Sequence, residues 1–255
     1  MFRGFASRVV FVLASLVVAG AACAGEVVRV EGNIVKWPAP TSGGAAEISY
    51  AILTGAFSLP SGKSTLSPDN CGAMRAFAEI LSTSPGLTED WARQELRSAF
   101  SAWERVAGVK FTETHELDQA NIIIGSTVGS IGRAFANLSL GGRQNVASVA
   151  KALGAATDRR VPSAADPAKD RPVLAIEQAY ICANPTMTWK TGFDGNLDVY
   201  DLRYTFMHEI GHAIGLDHPG SSGSIMGYRY DERVRELQAS DIEAAQTLYG
   251  PPKQR

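Results

Sequence analysis

Three of the four histidines in the chain fall within eleven residues, 208–218, which read HEIGHAIGLDH. Residues four apart lie on the same face of an α-helix, so His208 and His212 are expected to project together. Their ring nitrogens can then reach one Zn²⁺ ion at about 2.0–2.1 Å. Glu209 is one residue along, close to that ion but outside its coordination direction, where a general base acting on metal-activated water belongs.

The third histidine needs a change of chain direction, and Gly215 is placed to provide it. Glycine readily adopts the left-handed conformation that ends helices, so the chain can leave the helix there and bring His218 back to the ion. Three neutral imidazoles leave a fourth position open, which is typical of a catalytic rather than a structural zinc site. The alternative is a helix whose histidines only make hydrogen bonds, and it leaves the third histidine unexplained. His115, the fourth histidine, is predicted to be a solvated side chain.

Caps and apolar periodicity predict the elements that position these residues. Three helices are expected at Thr88 to Gly108, at Asp198 or Asp201 to Ala213, and at Ser240, with a capping box to Glu243, to Gly250. A shorter helix is predicted from Ser67-Pro68 through Phe77 and Leu81 to Pro85-Gly86. Alternating or apolar runs predict strands at 26–36, 46–53, 109–114, 121–126 and 173–183. The polar stretch 139–171 is predicted to be a surface insertion.

The motif H-E-x-x-H-x-x-G-x-x-H, followed by a methionine turn at Ser224–Gly227, resembles the metzincin metallopeptidases. Met226 comes eight residues after His218, and this short spacing resembles the matrixin branch. The resemblance covers most of residues 33–250 and includes these flanking stretches: Val35–Pro38, Ile48–Ile52, Ala99–Thr112, Ala120–Ile124 and Asp241–Gly250.

The resemblance implies an α+β (mixed α/β) catalytic domain cut by a cleft. Its twisted, mostly parallel sheet would be accompanied by an N-terminal helix, an active-site helix and a C-terminal helix. One catalytic Zn²⁺ ion would be held by His208, His212 and His218, with Glu209 as the general base. Met226 would form a hydrophobic floor beneath the ion without binding it.

The chain also departs from the matrixin pattern. Gly227 and Tyr228 follow the turn methionine, where matrixins have an aromatic residue and a proline. A tyrosine two places after the methionine resembles astacins and serralysins, in which it ligates zinc or stabilises the transition state; a pocket-wall role for Tyr228 is the alternative. Tyr230 matches a matrixin wall residue of the primed-side pocket. The loop that holds structural zinc and calcium in vertebrate matrixins has no match, so a second zinc site is not expected and the sequence leaves calcium open.

The N-terminus has the order of a secretory signal peptide. Arg3 and Arg8 precede an apolar run over residues 9–22 that ends in small residues. A membrane anchor is the alternative, but it needs about 20 apolar residues. Removal of residues 1–24 is favoured over lipid modification of Cys23. The mature chain is expected to begin at Gly25, to be secreted or periplasmic, and to form a single monomeric domain, 25–255, without a membrane span.

Cys71 and Cys182 remain after that cleavage. An even number of cysteines in an exported protein favours a disulfide. Two unrelated buried thiols are the alternative, and one sequence does not exclude them.

The function predicted from these residues is that of a secreted zinc endopeptidase acting on protein or peptide substrates. A net charge of −2, without long runs of lysine or arginine, gives no reason to expect a nucleic-acid partner. A catalytically silent, zinc-containing binding protein of the same fold is the main alternative. A third possibility is a self-limited enzyme that processes one partner.

Overall fold

The computed structural model of the protein describes residues 25–40, 43–60, 65–66, 70–129, 132–141, 173–220 and 223–253. The predicted signal peptide, residues 1–24, lies outside these ranges, and so do residues 142–171 of the predicted insertion. No helix within the described ranges is long and apolar enough to cross a membrane.

The described residues form thirteen strands. Their bounds are β1 (Glu26–Val27), β2 (Arg29–Val30), β3 (Asn33–Lys36), β4 (Ala46–Ile52), β5 (Phe57–Ser58), β6 (Ala73–Arg75), β7 (Val109–Glu113), β8 (Ile122–Thr127), β9 (Ala134–Leu140), β10 (Leu174–Ala183), β11 (Trp189–Lys190), β12 (Tyr200–Asp201) and β13 (Leu216–Asp217).

Nine of the strands build one mixed sheet. Its main path runs in the order β2-β3-β10-β8-β4-β7. Along this path β3, β10, β8, β4 and β7 are paired in parallel, each with the next. Strands β2, β6 and β9 join this sheet antiparallel to β3, β8 and β10. The predicted mostly parallel sheet is therefore confirmed. Strand β9 begins at Ala134 and includes residues 139–140, which the sequence had assigned to the insertion.

Strand β8 shows why the centre of this sheet forms. All six of its residues are buried, beginning with three consecutive isoleucines at 122–124. An uninterrupted apolar run of this kind is typical of a parallel strand covered on both faces, where alternation would expose half the side chains. The β-branched isoleucines also fit the extended backbone well.

Three α-helices accompany the sheet: α1 (Glu89–Glu104), α2 (Leu202–Ala213) and α3 (Ala239–Tyr249). Thr88 caps α1 as predicted, because its side chain accepts a hydrogen bond from the Trp91 amide at 3.3 Å. The apolar face of α1 packs on the sheet and on α2, and the indole nitrogen of Trp103 donates to the Met207 carbonyl oxygen at 2.9 Å. Helix α1 therefore buttresses the helix that carries two of the histidines.

Two local predictions are wrong. The predicted helix start at Ser67-Pro68 lies outside the described residues, and the described part of that stretch contains β6, followed by a 3₁₀ helix, Phe77–Leu81. Pairing of β6 with the end of β8 is a long-range interaction that overrides the local helix signal. Helix α3 begins at Ala239 with Gln238 as its cap, rather than at Ser240, because Asp241 closes the capping box.

The predicted disulfide is present. Cys71 lies just before β6, Cys182 lies in β10, and their Cα atoms are 5.7 Å apart. Both side chains are fully buried. The bond therefore ties the β5–β6 region to the strand that pairs with β9.

We expect the Cys71→Ser/Cys182→Ser double variant to lose about 4 kcal/mol of unfolding free energy, because the bond closes a long loop in the unfolded chain. The two cysteines are 111 residues apart in sequence. Urea titration of both proteins measures the loss. Equal stabilities, together with two thiols alkylated in the unfolded but unreduced wild type, would contradict this bond.

Candidate metal centre

Helix α2 starts at the second of its two predicted starts. The Asp201 carboxylate accepts hydrogen bonds from the backbone nitrogens of Tyr204 at 2.7 Å and Gly192 at 2.6 Å. An aspartate in this position satisfies backbone donors that have no partner within the helix and favours its positive end. The cap places His208, Glu209 and His212 in the later turns of α2.

Gly215 changes the chain direction after the helix, as predicted. Its φ angle is +96°, a conformation that side-chain-bearing residues rarely adopt. A Cβ atom there would also lie 2.4 Å from the carbonyl oxygen of Val35. Both the backbone conformation and the close approach to β3 therefore require glycine.

The returning chain is held by the N-terminal strand. In β13, Leu216 and Asp217 pair with Val27 and Glu26 of β1. The Val28 amide donates to the Gly215 carbonyl oxygen at 2.8 Å. This pairing fixes the path that brings His218 back towards α2.

The Nε2 atoms of the three histidines converge. They are 3.1 Å apart for His208 and His212, 3.2 Å for His208 and His218, and 3.3 Å for His212 and His218. Three ligands of a tetrahedral zinc ion, each bound at about 2.0–2.1 Å, lie about 3.3 Å from one another. Among the described residues this is the only group of at least three histidines, cysteines or acids close enough to share a metal ion. The residues present fit zinc.

The outer ring nitrogens fix the tautomers that metal binding requires. Nδ1 of His208 is 2.7 Å from the Ile225 carbonyl oxygen, and Nδ1 of His212 is 2.9 Å from that of Leu216. A carbonyl only accepts, so each Nδ1 carries the hydrogen and each Nε2 presents a lone pair. Two lone pairs 3.1 Å apart repel each other. A cation between them removes that repulsion.

Burial keeps two of these imidazoles neutral. Loss of hydration, with a smaller effect from neighbouring imidazoles, lowers the pKa of His208 to about 3 and that of His212 to about 4. His218 is positioned differently, with Nδ1 3.7 Å from the Asp217 carboxylate. Neutral imidazole is the form that binds a metal ion.

Glu209 lies beside the histidines and reaches two neighbouring cavities. The residue is only 6% exposed, and no hydrogen bond or ion pair to its carboxylate occurs within the described residues. Burial raises its pKa to about 8. A dication nearby would favour the ionised form, so this carboxyl is suited to taking up and releasing a proton near neutral pH.

Met226 packs against α2 at Gly211, a glycine that the sequence analysis treated only as a spacer. A Cβ atom on Gly211 would lie 2.2 Å from the Met226 sulfur and 3.0 Å from a ring carbon of Trp103. Gly211 therefore lets the methionine turn and α1 approach α2 closely. Its place between the two helical histidines was the available signal.

Asp241 is the second residue whose role the sequence analysis missed. Its buried carboxylate accepts hydrogen bonds from the amides of Ile225 at 3.0 Å and Met226 at 3.1 Å. Ile225 in turn supplies the carbonyl oxygen that orients His208. Asp241 therefore links α3, through the methionine turn, to the metal centre.

Two cavities meet at His208 and Glu209. The first, here called the tyrosine pocket, has a volume of about 210 Å³ and is walled by Tyr200, Tyr204 and Tyr230. The second, here called the valine cleft, has a volume of about 450 Å³ and lies between Val28 and Val30 on one side and β9 on the other. His208, Glu209 and Ala134 line both cavities, so the two cavities adjoin at the candidate centre.

Tyr230 is fixed in the wall of the tyrosine pocket. Its ring stacks on Tyr200 at 4.3 Å between centroids, and its hydroxyl donates to the Glu232 carboxylate at 3.0 Å. Glu232 also contacts the Lys190 ammonium at 2.5 Å. The Glu232 charge behind the wall is therefore paired, and the network joins β11 to the loop after the methionine turn.

Tyr228 takes a different position. It is 69% exposed, and its ring stacks on the ring of His218 with centroids 4.0 Å apart and an angle of 13°. It also lines the tyrosine pocket. His115, by contrast, is an exposed residue in the segment after β7, away from this arrangement.

Comparison with known proteins gives one matching family model and several partial relatives. The model for matrixins matches residues 76–250. Human matrix metalloproteinase-26 is 46% identical over 54 residues, which is 20% of this chain and 21% of that protein. Metalloendoproteinase 1-MMP of Arabidopsis thaliana is 27% identical over 175 residues, 66% of this chain and 41% of the relative. The chain therefore spans less than half the length of these relatives.

We expect Asp241→Asn to weaken Zn²⁺ binding by about 10- to 100-fold, since the ligand-orienting turn loses a charged acceptor. Competition with a fluorescent chelator measures the affinity. Asp231→Asn is the matched control, because that carboxylate contacts only Arg233 among the described side chains. Equal zinc affinities for the wild type and Asp241→Asn would show that the turn does not orient His208.

The metal-free protein should show opposing pH effects from this centre. The pKa values of His208 and His212 are lower in the folded state than their ordinary value of 6.5, so their stabilising effect is lost as pH falls below about 6.5. The pKa of Glu209 is raised from 4.5 to about 8, so its contribution is lost as pH rises towards 8. Urea titrations of apo wild type and Glu209→Gln should differ in slope between pH 6.5 and 8, with only the wild type losing stability through this carboxyl. Parallel profiles would contradict the raised pKa.

Proposed function

The chain belongs to the matrixin family of metzincin zinc metallopeptidases, and from that premise we propose that it is a secreted zinc-dependent endopeptidase. The observation that carries the proposal is the convergence of three Nε2 atoms within 3.3 Å beside a buried carboxyl. A structural zinc site would have its fourth ligand from the protein, whereas these three histidines line the valine cleft and His208 also lines the tyrosine pocket.

In this proposal His208, His212 and His218 hold one Zn²⁺ ion. When bound, the ion supplies Lewis acidity, which lowers the pKa of water towards about 7 and polarises the scissile carbonyl. The Nδ1 hydrogen bonds of His208 and His212 keep both rings oriented during the reaction. Met226 serves as the apolar floor that holds this geometry from below.

Glu209 is proposed as the general base. Its carboxylate would accept the proton of the attacking water and then pass it to the departing amine nitrogen. The buried environment of the carboxyl, which has no partner among the described residues, supports this role, because burial raises its pKa to about 8.

Tyr228 is proposed as a second catalytic group, with its hydroxyl stabilising the oxyanion that forms on the scissile carbonyl. Its stacking on His218 supports the proposal, because the ring is held beside the histidines while the side chain stays exposed at the tyrosine pocket. Tyr230 is proposed to bound the pocket for the residue after the cleaved bond.

The proposed substrate is a protein or peptide bound as an extended strand. β9 pairs with β10 on one side and turns its other edge towards the centre, where it lines both cavities. An extended peptide can add to such an edge through main-chain hydrogen bonds. The side chain nearest the centre would then enter the tyrosine pocket.

Export is part of the same proposal. Residues 1–24 would be removed as a signal peptide, leaving residues 25–255 as one monomeric domain in the periplasm or outside the cell. The Cys71–Cys182 bond supports an oxidising destination, since such bonds are rare in reducing compartments.

A catalytically silent zinc-binding protein is the second candidate. It would retain the histidines, but it would have no use for a buried carboxyl beside them. The position of Glu209 therefore favours the enzyme.

We expect Glu209→Gln to bind one zinc ion per chain, as the wild type does, and to cleave peptides at least about 10²–10⁴-fold more slowly. Digestion of a peptide library, read by mass spectrometry with and without chelator, measures cleavage. Glu236→Gln, at an exposed carboxyl, is the control and should cleave normally. Wild-type rates in Glu209→Gln would exclude this base, and a zinc-loaded wild type that cleaves no member of the library would favour the silent binding protein.

A further inference from the structure

The edge of β9 that faces away from β10 is hydrogen-bonded at one position to another segment of the same chain. The Leu66 amide donates to the carbonyl oxygen of Leu138 at 2.8 Å. Backbone groups of alternate residues in a strand point to the same side, so Ala134 and Ala136 face the same edge as Leu138. Of these three positions on the cleft edge, the one furthest along β9 is already hydrogen-bonded.

Leu66 packs into the protein, and Asn70 and Cys71, the next described residues, make further contacts near β9. Leu66 is half-buried and packs against the main hydrophobic core. Further along, the Cys71 amide donates to the Asn137 side chain at 2.9 Å, and the disulfide ties Cys71 to Cys182. The Thr127 hydroxyl donates to the Asn70 carbonyl oxygen at 3.2 Å. Leu66 and Asn70 both line the valine cleft beside β9.

The two cavities give the substrate a direction along this edge. Ala134 borders the tyrosine pocket, whereas Leu138 borders only the valine cleft. A peptide added antiparallel to β9, the more stable pairing, runs from Leu138 towards Ala134. Its residues before the cleaved bond therefore lie in the valine cleft, and its residues after that bond lie at the tyrosine pocket.

From this arrangement we infer that Leu66 ends the substrate cleft and is a specificity-determining residue, an inference that rests on the proposed peptidase function. The backbone of a substrate pairs with Ala136 but not with Leu138. Substrate residues further towards the amino end of the peptide leave the edge of β9 and form no main-chain hydrogen bonds with it. The substrate class is accordingly a polypeptide recognised mainly at and after the cleaved bond, with a short recognised stretch before it.

A ladder of peptides with one to six residues before the cleaved bond tests the inference. For the wild type, kcat/KM should rise up to about three residues before that bond and then stay level, because the strand edge ends there. Leu66→Pro removes the amide hydrogen, frees the Leu138 carbonyl oxygen and opens the edge. For that variant, kcat/KM should keep rising, by about threefold or more for the next pairing residue.

Leu66→Ala is the matched control, because it shortens the side chain but keeps the amide that binds Leu138. Its length profile should level off where the wild-type profile does. Circular dichroism and zinc content establish that each variant is folded, and if Leu66→Pro does not fold, the wild-type and Leu66→Ala profiles decide alone. A wild-type kcat/KM that continues to rise through six residues would overturn the inference while leaving the peptidase function intact. Failure of the wild type to cleave any peptide of the ladder would instead refute the proposed function, and this inference with it.

Discussion

The structure is organised around an arrangement that is unfavourable without a cation: three imidazole nitrogens held within 3.3 Å of one another. The Nδ1 atoms of His208 and His212 each donate a hydrogen bond to a backbone carbonyl oxygen. Their Nε2 atoms therefore carry lone pairs, and these lone pairs face each other. Repulsion between lone pairs must be offset by the rest of the fold until a metal ion binds. The contacts that hold these three rings are therefore the ones on which the proposed chemistry depends.

Those contacts come from distant parts of the chain. The N-terminal strand β1 holds the return towards His218, α1 packs against α2 through Trp103, and α3 reaches the methionine turn through Asp241. Gly211 in α2 lies against Met226 and Trp103, and Gly215 just after α2 lies against Val35; neither position has room for a side chain. The centre is thus positioned by the whole domain, while its ligands come from one short stretch.

Because the ligands lie within one short stretch, much of the centre could be predicted from the sequence. The spacing of His208 and His212, the turn at Gly215 and the cap at Thr88 are local signals, and local geometry decides them. The run of isoleucines in β8 likewise predicts a buried parallel strand. The roles of Asp241 and Leu66 depend on partners far away in sequence, at the methionine turn and at β9. The helix predicted from Ser67-Pro68 failed for the same reason, since pairing of β6 with β8 decides the conformation of part of that stretch.

The central claim is that one zinc ion is held by three imidazoles, and zinc K-edge X-ray absorption of the metal-loaded protein tests it most directly. The account predicts one zinc per chain, with histidine-type nitrogen scattering from three ligands at about 2.0–2.1 Å and a lighter oxygen ligand completing the shell. A spectrum with sulfur ligands, with fewer than three imidazoles, or from a folded protein that takes up no zinc would contradict it.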